Sequence, residues 1–536
     1  MLTVDRILYN GHIRTLDPAR PLAAALALMG ERIVAVGDDS LRELAGAGTA
    51  LDDLGGRTVL PGLTDAHIHW AGVARALHSV DLFDVPGKAE ALQRVRAWAE
   101  KTPPGQWITG RGWHQELWPE PVFPTAADLD SVAPHHPVYL TARSGHAAWV
   151  NSAALRLAGI DAATPDPPGG AFLRDDRGQP TGILLEDPAM ERVNALIPDP
   201  SPETLADWMA DAQRLAWQVG LTGIHDFDGS DCMAALQILR EQGKLGLRVV
   251  KNINREWIAH ALALGIRWGF GDDWIRIGGL KLFADGALGP RTAAMLEPYE
   301  GEPENLGIVV TEKEEMAELV LAASAAGLPS TIHAIGDRAV HDVLDVYEMA
   351  RRQEAARGMP RTALRHRIEH VQIIHPDDAG RLAELALIAS MQPIHATSDY
   401  EMVDRYWGAR GKWAYNFRLQ LEQGVPLAFG SDSPVEPMDP RMGLHAAVTR
   451  RRADGSPGPE GWYPQGRLTL DEALRAYTRG PAYAAGMEDR LGRLAPGFLA
   501  DLIVLERDFY AIAPDDILTT AIVGTMVGGV WRRREF

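Results

Sequence analysis

The stretch TEKEEMAELVLAASAAGLPSTIH (residues 311–333) contains one complete helix-to-strand unit, and this unit indicates the fold. Thr311 and Glu314 have the spacing of a capping box, so we expect a helix to begin there. Gly327 is placed to end that helix, because glycine readily adopts the left-handed conformation found just after a helix. The short apolar run LPSTIH that follows predicts a strand ending at His333.

Seven further segments have the same strand character, and helix-like segments separate most of them. They are RTVLPGLTDAHIH, GLTGIHDF, GLRVVKNI, IRIGGLKLF, RHRIEH, ALIASMQP and VPLAFGSD. Eight β-then-α units predict an α/β protein with a closed (β/α)8 TIM barrel, in which functional groups lie at the carboxyl ends of the strands. A doubly wound open sheet is the main alternative, but no G-x-G-x-x-G motif opens any of the units.

Both ends of the chain consist of short predicted strands joined by turns. The dipeptides Asn10–Gly11 and Gly30–Glu31 are placed where hairpins turn, and Gly528–Gly529 is a similar turn near the other end. We therefore predict a small composite β-sandwich built from residues 1–56 and 490–536.

The barrel domain is expected to occupy the middle of the chain, residues 57–489. Its first two strands are separated by roughly 150 residues, far more than an ordinary loop contains. We expect this interval, about residues 72–215, to form a large inserted subdomain after barrel strand 1.

Composition and charge exclude several classes of protein. The net charge of −19 argues against nucleic acid and anionic membranes as partners, and no apolar run reaches the ~18–20 residues of a membrane span. The one cysteine, Cys232, fits a reducing compartment, and the first residues lack the pattern of a signal peptide. We expect a soluble, cytoplasmic protein whose partner is a small-molecule substrate, with a homodimer left open.

A lysine stands in the middle of an apolar run in GGLKLFADGALG (residues 278–289). Only seven of the 53 Lys+Arg residues are lysines, so this chain otherwise uses arginine. Arginine keeps its proton in proteins, whereas a buried lysine can become a neutral amine. We therefore expect chemistry at Lys281.

Six potential metal ligands lie at or just after the ends of predicted strands. They are His67, His69, Lys281, His333, His370 and Asp432. Residues i and i+2 of a strand point the same way, so His67 and His69 can reach one ion together. Four imidazoles, one carboxylate and one convertible amine predict a site for zinc or a similar divalent metal.

The motifs PGLTDAHIH, HAIGD, RIEH and GSDSPVEP, with the strand-end lysine, resemble those of the amidohydrolase superfamily. Within it they resemble the amidohydrolase-3 branch, which includes N-substituted formamide deformylase-like enzymes, and the resemblance covers nearly the whole chain. It implies a binuclear centre, with two Zn per chain. It assigns His67, His69 and Asp432 to one ion and His333 and His370 to the other. Lys281, as N6-carboxylysine, would bridge the two.

The function implied by this resemblance is hydrolysis of a non-peptide, amide-like C–N bond by metal-activated hydroxide, with Asp432 as the catalytic base. One alternative is a mononuclear deaminase, which usually has a glutamate just after the third histidine; HAIGD offers Asp337 instead. The other alternative is a non-catalytic binding protein on the same barrel. Serine catalysis has little support, because GSDSP is not a G-x-S-x-G elbow.

Further residues are candidates for secondary roles. We expect three of them to bind substrate: His146, Asp285 and Arg291. Glu186 is the best alternative bridge between the metals if Lys281 is unmodified. Asp337 and Glu369 are candidates for orienting the ligand histidines.

Overall fold

The computed structural model describes residues 4–536, which form two compact units. Residues 4–70 and 210–536 form the first, here called the core unit, and residues 71–209 form the second, the inserted unit. The predicted domain limits at 56/57, 489/490 and about 72–215 stay predictions.

An eight-stranded parallel sheet dominates the core unit, and its strands neighbour one another in chain order. Barrel strands 1 to 8 are Leu63–Ile68, Leu221–Asp226, Arg248–Asn254, Ile275–Phe283, Ser330–Ala334, Arg367–His370, Ile388–Met391 and Leu427–Phe429. Six of the eight lie within the segments predicted from the sequence, and strands 3 and 5 each extend one residue beyond theirs, so the TIM barrel is confirmed.

Hydrogen bonds outside the regular strand pairing connect strand 8 to strand 1 and close the barrel. Asp432 N donates to His67 O at 2.7 Å, and His69 N donates to Ser433 O at 2.8 Å. The carboxylate of Asp65 accepts from Ser431 N at 3.0 Å and from Ser431 Oγ at 2.5 Å. These bonds join the ends of the first and last strands, where two of the predicted ligand segments lie.

Helices cover the barrel strands and continue toward the carboxyl terminus. In the core unit they are Ser230–Glu241, Ile258–Ala263, Lys313–Ala325, Asp337–Ala356, Arg381–Glu384, Pro393–Tyr406, Phe417–Glu422, Pro440–Thr449, Leu470–Ala476 and Arg479–Ala484. Trp70–Leu77 and Pro202–Gln218 run across the two chain boundaries between the units. No helix within residues 4–536 is long and apolar enough to cross a membrane.

The core unit has two smaller sheets, and one of them combines strands from both ends of the chain, which confirms the composite sandwich. One contains Arg32–Gly37, Ala25–Met29, Arg6–Tyr9 and Ala50–Asp53. The other contains Val530–Arg534, Ile522–Val527, Leu502–Leu505, Thr58–Pro61, His12–Arg14 and Leu22–Ala23. A buried apolar cluster includes Leu8, Leu28 and Val59 from one end and Leu502 and Met526 from the other.

The segment RTVLPGLTDAHIH, predicted as a single strand, contains two. Thr58–Pro61 pairs in the sandwich, and Leu63–Ile68 begins the barrel. Gly62 separates them, and a Cβ atom there would lie 2.3 Å from Thr222 Oγ1. The close approach of barrel strand 2 therefore requires glycine at the junction.

Two local predictions are wrong. The helix Lys313–Ala325 has Glu312 as its N-cap and no side-chain capping bond, because Thr311 lies one residue too early and is buried. Asn10–Gly11 does not turn a hairpin, since the strands on either side of it belong to different sheets. Gly327 does follow the helix end with φ of 85°, as expected.

The inserted unit has its own six-stranded sheet and its own core. Its strands are Ala171–Arg174, Pro180–Leu185, Ala147–Val150, Val138–Ala142, Ile108–Trp113 and Val80–Asp81, and its internal helices are Lys88–Ala99, Ala126–Asp130, Ser152–Leu157 and Asp187–Asn194. Trp113, Trp118 and Trp149 pack in one of its buried clusters. The large insertion after barrel strand 1 is confirmed as part of the fold.

Candidate metal centre

The six residues predicted to bind metal all lie at the carboxyl ends of barrel strands. His67, Lys281, His333 and His370 lie within strands 1, 4, 5 and 6. His69 follows the end of strand 1, and Asp432 follows the end of strand 8. Their roles as ligands stay predictions, whereas their placement is a property of the fold.

His67, His370 and Asp432 form the centre of this group. Each offers one ligand atom, and these atoms all lie within 4.8 Å of one another. Asp432 Oδ1 is 3.5 Å from His67 Nε2 and 3.4 Å from His69 Nε2. Two ligands of one tetrahedral zinc ion lie about 3.3 Å apart, given Zn–N and Zn–O bonds near 2.0–2.2 Å, so these separations match a shared ion.

Hydrogen bonds to the far side of three rings orient them toward this centre. His67 Nδ1 lies 2.6 Å from Glu369 Oε2, and His69 Nδ1 lies 2.9 Å from Asp228 Oδ1. His370 Nδ1 lies 2.8 Å from Gln392 Oε1. Each Nδ1 faces an oxygen that accepts its hydrogen, so in the neutral form of each ring Nε2 presents its lone pair to a metal.

His333 is oriented by its other ring nitrogen. Its Nε2 donates to Gly286 O at 2.9 Å, which leaves Nδ1 as the atom with a lone pair. Its ring centroid lies 4.6 Å from that of His370. His333 and His370 are therefore neighbours, as a second metal position would require.

Burial keeps three of these imidazoles neutral. It lowers the pKa of His67 to about 4 and that of His333 to about 3, and it holds the pKa of His370 well below its usual range. Burial also lowers the pKa of His69, but the carboxylates of Asp228 and Asp432 outweigh it and raise that pKa to about 10. A metal ion at this position would displace the proton of His69.

Lys281 ends in an apolar environment beside these histidines. Its side chain is fully buried, and Nζ has no hydrogen-bond partner among residues 4–536. The Nζ atom lies 4.7 Å from the ring centroid of Phe227 and 4.5 Å from that of Phe283. Burial lowers the pKa of Lys281 to about 8, so its amine loses its proton far more readily than that of an exposed lysine.

Two of the ligand segments have left-handed backbone conformations. His370 has φ of 75° and Asp432 has φ of 61°. Arg367 and Glu369 point into the barrel, so a regular strand would turn the next residue, His370, away from it. The left-handed conformation turns the His370 side chain toward the centre. Backbone strain of this kind is typical of functional sites.

His395 is a candidate site residue that the sequence reasoning missed. It lies in the helix Pro393–Tyr406 after strand 7, and its Nε2 is 3.3 Å from Asp432 Oδ2. Burial lowers the pKa of His395, but Asp432 and Glu436 outweigh it and raise it to about 10. The position of His395 two residues after the predicted strand ALIASMQP was the sequence signal that could have identified this residue.

Asp285 and Arg291, predicted to bind substrate, have other partners in the structure. The buried carboxylate of Asp285 accepts from Ala294 N at 2.9 Å, Ile335 N at 3.0 Å and Gly336 N at 2.8 Å, so it anchors the loops after strands 4 and 5. Arg291 forms an ion pair with Glu302. Their contact with substrate stays a prediction.

His146 and Glu186 lie in the inserted unit, where they bind one another. His146 Nδ1 is 2.9 Å from Glu186 Oε2, and both side chains are more than half exposed. The substrate role of His146 and the bridging role of Glu186 stay predictions. Asp337 Oδ1 accepts from Leu296 N at 2.8 Å and thus holds a loop, whereas Glu369 contacts His67, one of the predicted ligands.

Asp226, Asp228 and Cys232 form a second group with metal-compatible spacing. Lys251 already supplies positive charge there, since its Nζ lies 3.0 Å from Asp226 Oδ2 and donates to the Asp228 carbonyl. Burial raises the pKa of the Cys232 thiol far above its usual range. This group therefore supports the strand ends and offers no thiolate ligand.

The residues of the main group fit a divalent metal. Nitrogen and oxygen donors at these separations suit zinc. The ring nitrogens that face away from the centre contact polar groups of the kind that usually surround metal-bound histidines. Lys281 Nζ is buried and has no hydrogen-bond partner among residues 4–536. An anionic carbamate bound to metal would satisfy it.

Comparison with known proteins agrees with this chemistry. The model of the amidohydrolase family matches residues 51–531. The N-substituted formamide deformylase of Arthrobacter pascens is 32% identical over 551 residues, covering 98% of each chain. The LONG AFTER FAR-RED 3 protein of Arabidopsis thaliana is also 32% identical, over 98% of this chain and 91% of its own.

A similar structure has also been solved. An uncharacterized metal-dependent hydrolase from Pyrococcus furiosus is 32% identical, with a TM-score of 0.78 over 94% of this chain and 99% of its own. The family model covers most of the chain, and the relatives match nearly all of it. With its barrel and its cluster of strand-end donors, this chain belongs to the amidohydrolase family and has the fold of metal-dependent hydrolases.

Proposed function

We propose that this protein hydrolyses a non-peptide, amide-like C–N bond of a small molecule with the help of two divalent metal ions. The observation that carries the proposal is the convergence of four oriented imidazoles and Asp432 around a buried lysine amine. The similarity to a formamide deformylase supports the choice of an amide-like bond.

Two sets of ligands would hold the ions. His67, His69 and Asp432 would bind one of them, because both Nε2 atoms face the same carboxylate oxygen. His333 and His370, whose rings are adjacent, would bind the other. When bound, zinc would lower the pKa of a water molecule toward ~7 and polarise the substrate carbonyl.

Lys281 would complete the site as a carbamate. Its neutral amine would attack CO2, form an N–C bond and release one proton, which turns a basic group into an anion with two oxygens. The pKa of about 8 supplies the neutral amine, and the lack of a protein partner leaves its nitrogen open to attack CO2. An ammonium beside two dications would instead be strongly repelled.

Asp432 would move the proton during hydrolysis. Burial would raise its pKa, but His395, His67 and His69 hold it well below the usual range, so the carboxylate is ionised. It would accept a proton from the attacking water and pass it to the leaving nitrogen. His395 would hold Oδ2 in place while Oδ1 faces the metal ligands.

Phe283 indicates where an apolar part of the substrate would bind. Its ring centroid lies 5.1 Å from that of His333, yet 41% of the residue is exposed. An exposed aromatic face beside the reacting groups favours contact with an apolar substituent. The expected substrates are therefore small amides with an alkyl or aryl group, such as N-substituted formamides.

Metal analysis combined with a substrate panel tests the proposal. The purified chain should contain two zinc or equivalent ions, and it should release a carboxylic acid and an amine from N-substituted formamides or related amides. A chain that contains one ion and releases ammonia from an aminated ring would instead be a deaminase. Absence of both metal and turnover across the panel would identify a binding protein and refute the proposal.

A further inference from the structure

A continuous chain of buried polar side chains leads from the candidate metal centre down the inside of the barrel. It runs from His67 to Glu369, then to Arg367 and His225, and all four residues are at most 3% exposed. The linking distances are 2.6 Å between His67 Nδ1 and Glu369 Oε2 and 2.9 Å between Arg367 Nη1 and His225 Nδ1. These residues come from three different barrel strands.

Arg367 holds Glu369 by a two-point contact. Its Nε lies 2.5 Å from Glu369 Oε1, and its Nη2 lies 3.0 Å from Glu369 Oε2. Such bidentate pairs fix the orientation of a carboxylate, because two parallel bonds allow one planar arrangement. Arg367 Nη2 also donates to Ala66 O at 2.6 Å, on the residue that precedes His67.

Glu369 determines which nitrogen of His67 carries the hydrogen. Its two oxygens face the guanidinium of Arg367, and Oε2 also faces His67 Nδ1. A carboxylate paired with a guanidinium accepts hydrogen bonds, so the hydrogen of a neutral imidazole lies on Nδ1. His67 Nε2 is consequently the lone-pair donor that faces Asp432.

We propose that Arg367 and Glu369 are positioning residues that act as one unit to fix the tautomer and orientation of His67 for metal binding. This inference rests on the proposed metal centre, but it concerns metal affinity rather than the reaction. Removing groups of this kind typically weakens metal binding by about 10–100-fold. Glu369 needs Arg367 to orient His67, because the two-point contact fixes the plane of its carboxylate.

The same chain contains a matched control that has the same residue types and lies away from the centre. Arg351 Nη1 is 2.6 Å from Glu354 Oε2, and Glu354 Oε1 is 2.8 Å from His366 Nε2. These three residues are also at most 4% exposed. His366 precedes Arg367 in the chain, but its Nδ1 accepts from Ser330 N and no predicted metal ligand contacts it.

The test measures zinc affinity by competition with a chromophoric chelator for the wild type, Glu369→Gln, Arg367→Lys and Glu354→Gln. Glu369→Gln should bind zinc 10–100-fold more weakly, and Arg367→Lys should show a smaller loss, because lysine keeps the charge but not the two-point contact. Glu354→Gln should keep wild-type affinity even if its melting temperature falls. Equal zinc affinity in Glu369→Gln and the wild type would overturn the inference.

A double variant covers the case in which a single substitution prevents folding. Arg367→Met combined with Glu369→Gln removes both buried charges together, which is far less destabilising than leaving one unpaired. We expect this double variant to fold and still bind zinc weakly. A folded double variant with wild-type zinc affinity would show that the pair has only a structural role. A wild type that binds no zinc would instead refute the proposed metal centre.

Discussion

Asp432 Oδ2 and His395 Nε2 lie 3.3 Å apart, on the opposite side of the carboxylate from His67 and His69. The two carboxylate oxygens thus face different partners. One faces the predicted metal ligands, and the other faces a histidine from the helix after strand 7. In the proposed centre, this division would let Asp432 contribute one ligand atom and keep a second oxygen for proton transfer.

We expect His395→Asn to lower kcat by about 10-fold or more while zinc content stays near that of the wild type. The shorter asparagine cannot reach Asp432 Oδ2, so this oxygen loses its buried partner. Steady-state kinetics and elemental analysis check the result, with the exposed His260→Asn as control. Unchanged kcat in His395→Asn would show that this contact does not support turnover.

Asp432→Asn should keep the fold and reduce kcat by roughly 10²–10⁴-fold, because an amide cannot accept the water's proton. It should also weaken binding of the metal shared with His67 and His69. Kinetics at saturating zinc separate the two effects. A kcat near that of the wild type under those conditions would remove Asp432 as the base.

Lys281→Ala should lose the bridge between the ions and most of the activity. Short carboxylic acids such as formate or acetate should restore part of it, since they can supply two oxygens in the space left by the side chain. Lys281→Arg is the control, because arginine does not become a carbamate and leaves no space. A fully metallated, active Lys281→Ala protein without added acid would contradict the bridging carbamate.

Removal of metal by a chelator should lower the melting temperature, and re-addition of zinc should restore it. A ligand that binds only the folded state stabilises by about 2.7 kcal/mol at 100 times its dissociation constant. Differential scanning calorimetry checks this, and His67→Ala should show a smaller difference between the two forms. Identical melting curves with and without zinc would argue against a metal site in the folded chain.

The buried pair Glu354–His366 predicts a loss of stability in acid. Burial would raise the pKa of Glu354, but His366 and Arg351 outweigh it and lower it to about 2. A carboxylate with a lowered pKa stabilises the fold above its unfolded value of ~4.5 and loses that contribution as pH falls toward 2. Burial also lowers the pKa of His366, so unfolding takes up a further proton below about pH 6.5.

Comparison of the wild type with Glu354→Gln isolates this contribution. The wild type should be more stable by about 3 kcal/mol near pH 7, and the difference should shrink as pH falls from 4.5 toward 2. Denaturant unfolding at several pH values measures it. A difference that does not depend on pH would show that Glu354 is not ionised in the folded protein.

Most of the barrel and its donor residues could be predicted because polar residues at the ends of apolar strands stand out in the sequence. His67 and His69 are two residues apart in one strand, and Lys281 interrupts an apolar run, so both features are visible locally. His395 lies in a helix, and its position two residues after a predicted strand was the only local signal for it. Its approach to Asp432 depends on the packing of the helix after strand 7.

Roles that depend on hydrogen-bond partners were harder to predict. Asp285 stands in a loop beside the lysine strand, where a substrate contact was a reasonable hypothesis. The structure gives its carboxylate three backbone N–H donors from two different loops, which is a structural role that the sequence did not indicate. Those partners are up to 51 residues away in the chain, and no local pattern indicates them.

The sequence by itself determined the alternation of strands and helices, the composite sandwich and the donor residue types at the strand ends. It could do so because burial imposes periodicity on neighbouring residues. Only the tertiary structure decided which donors meet and which nitrogen each ring presents. His67 and Asp432 are 365 positions apart, and their separation of 3.5 Å exists because the barrel brings its first and last strands together.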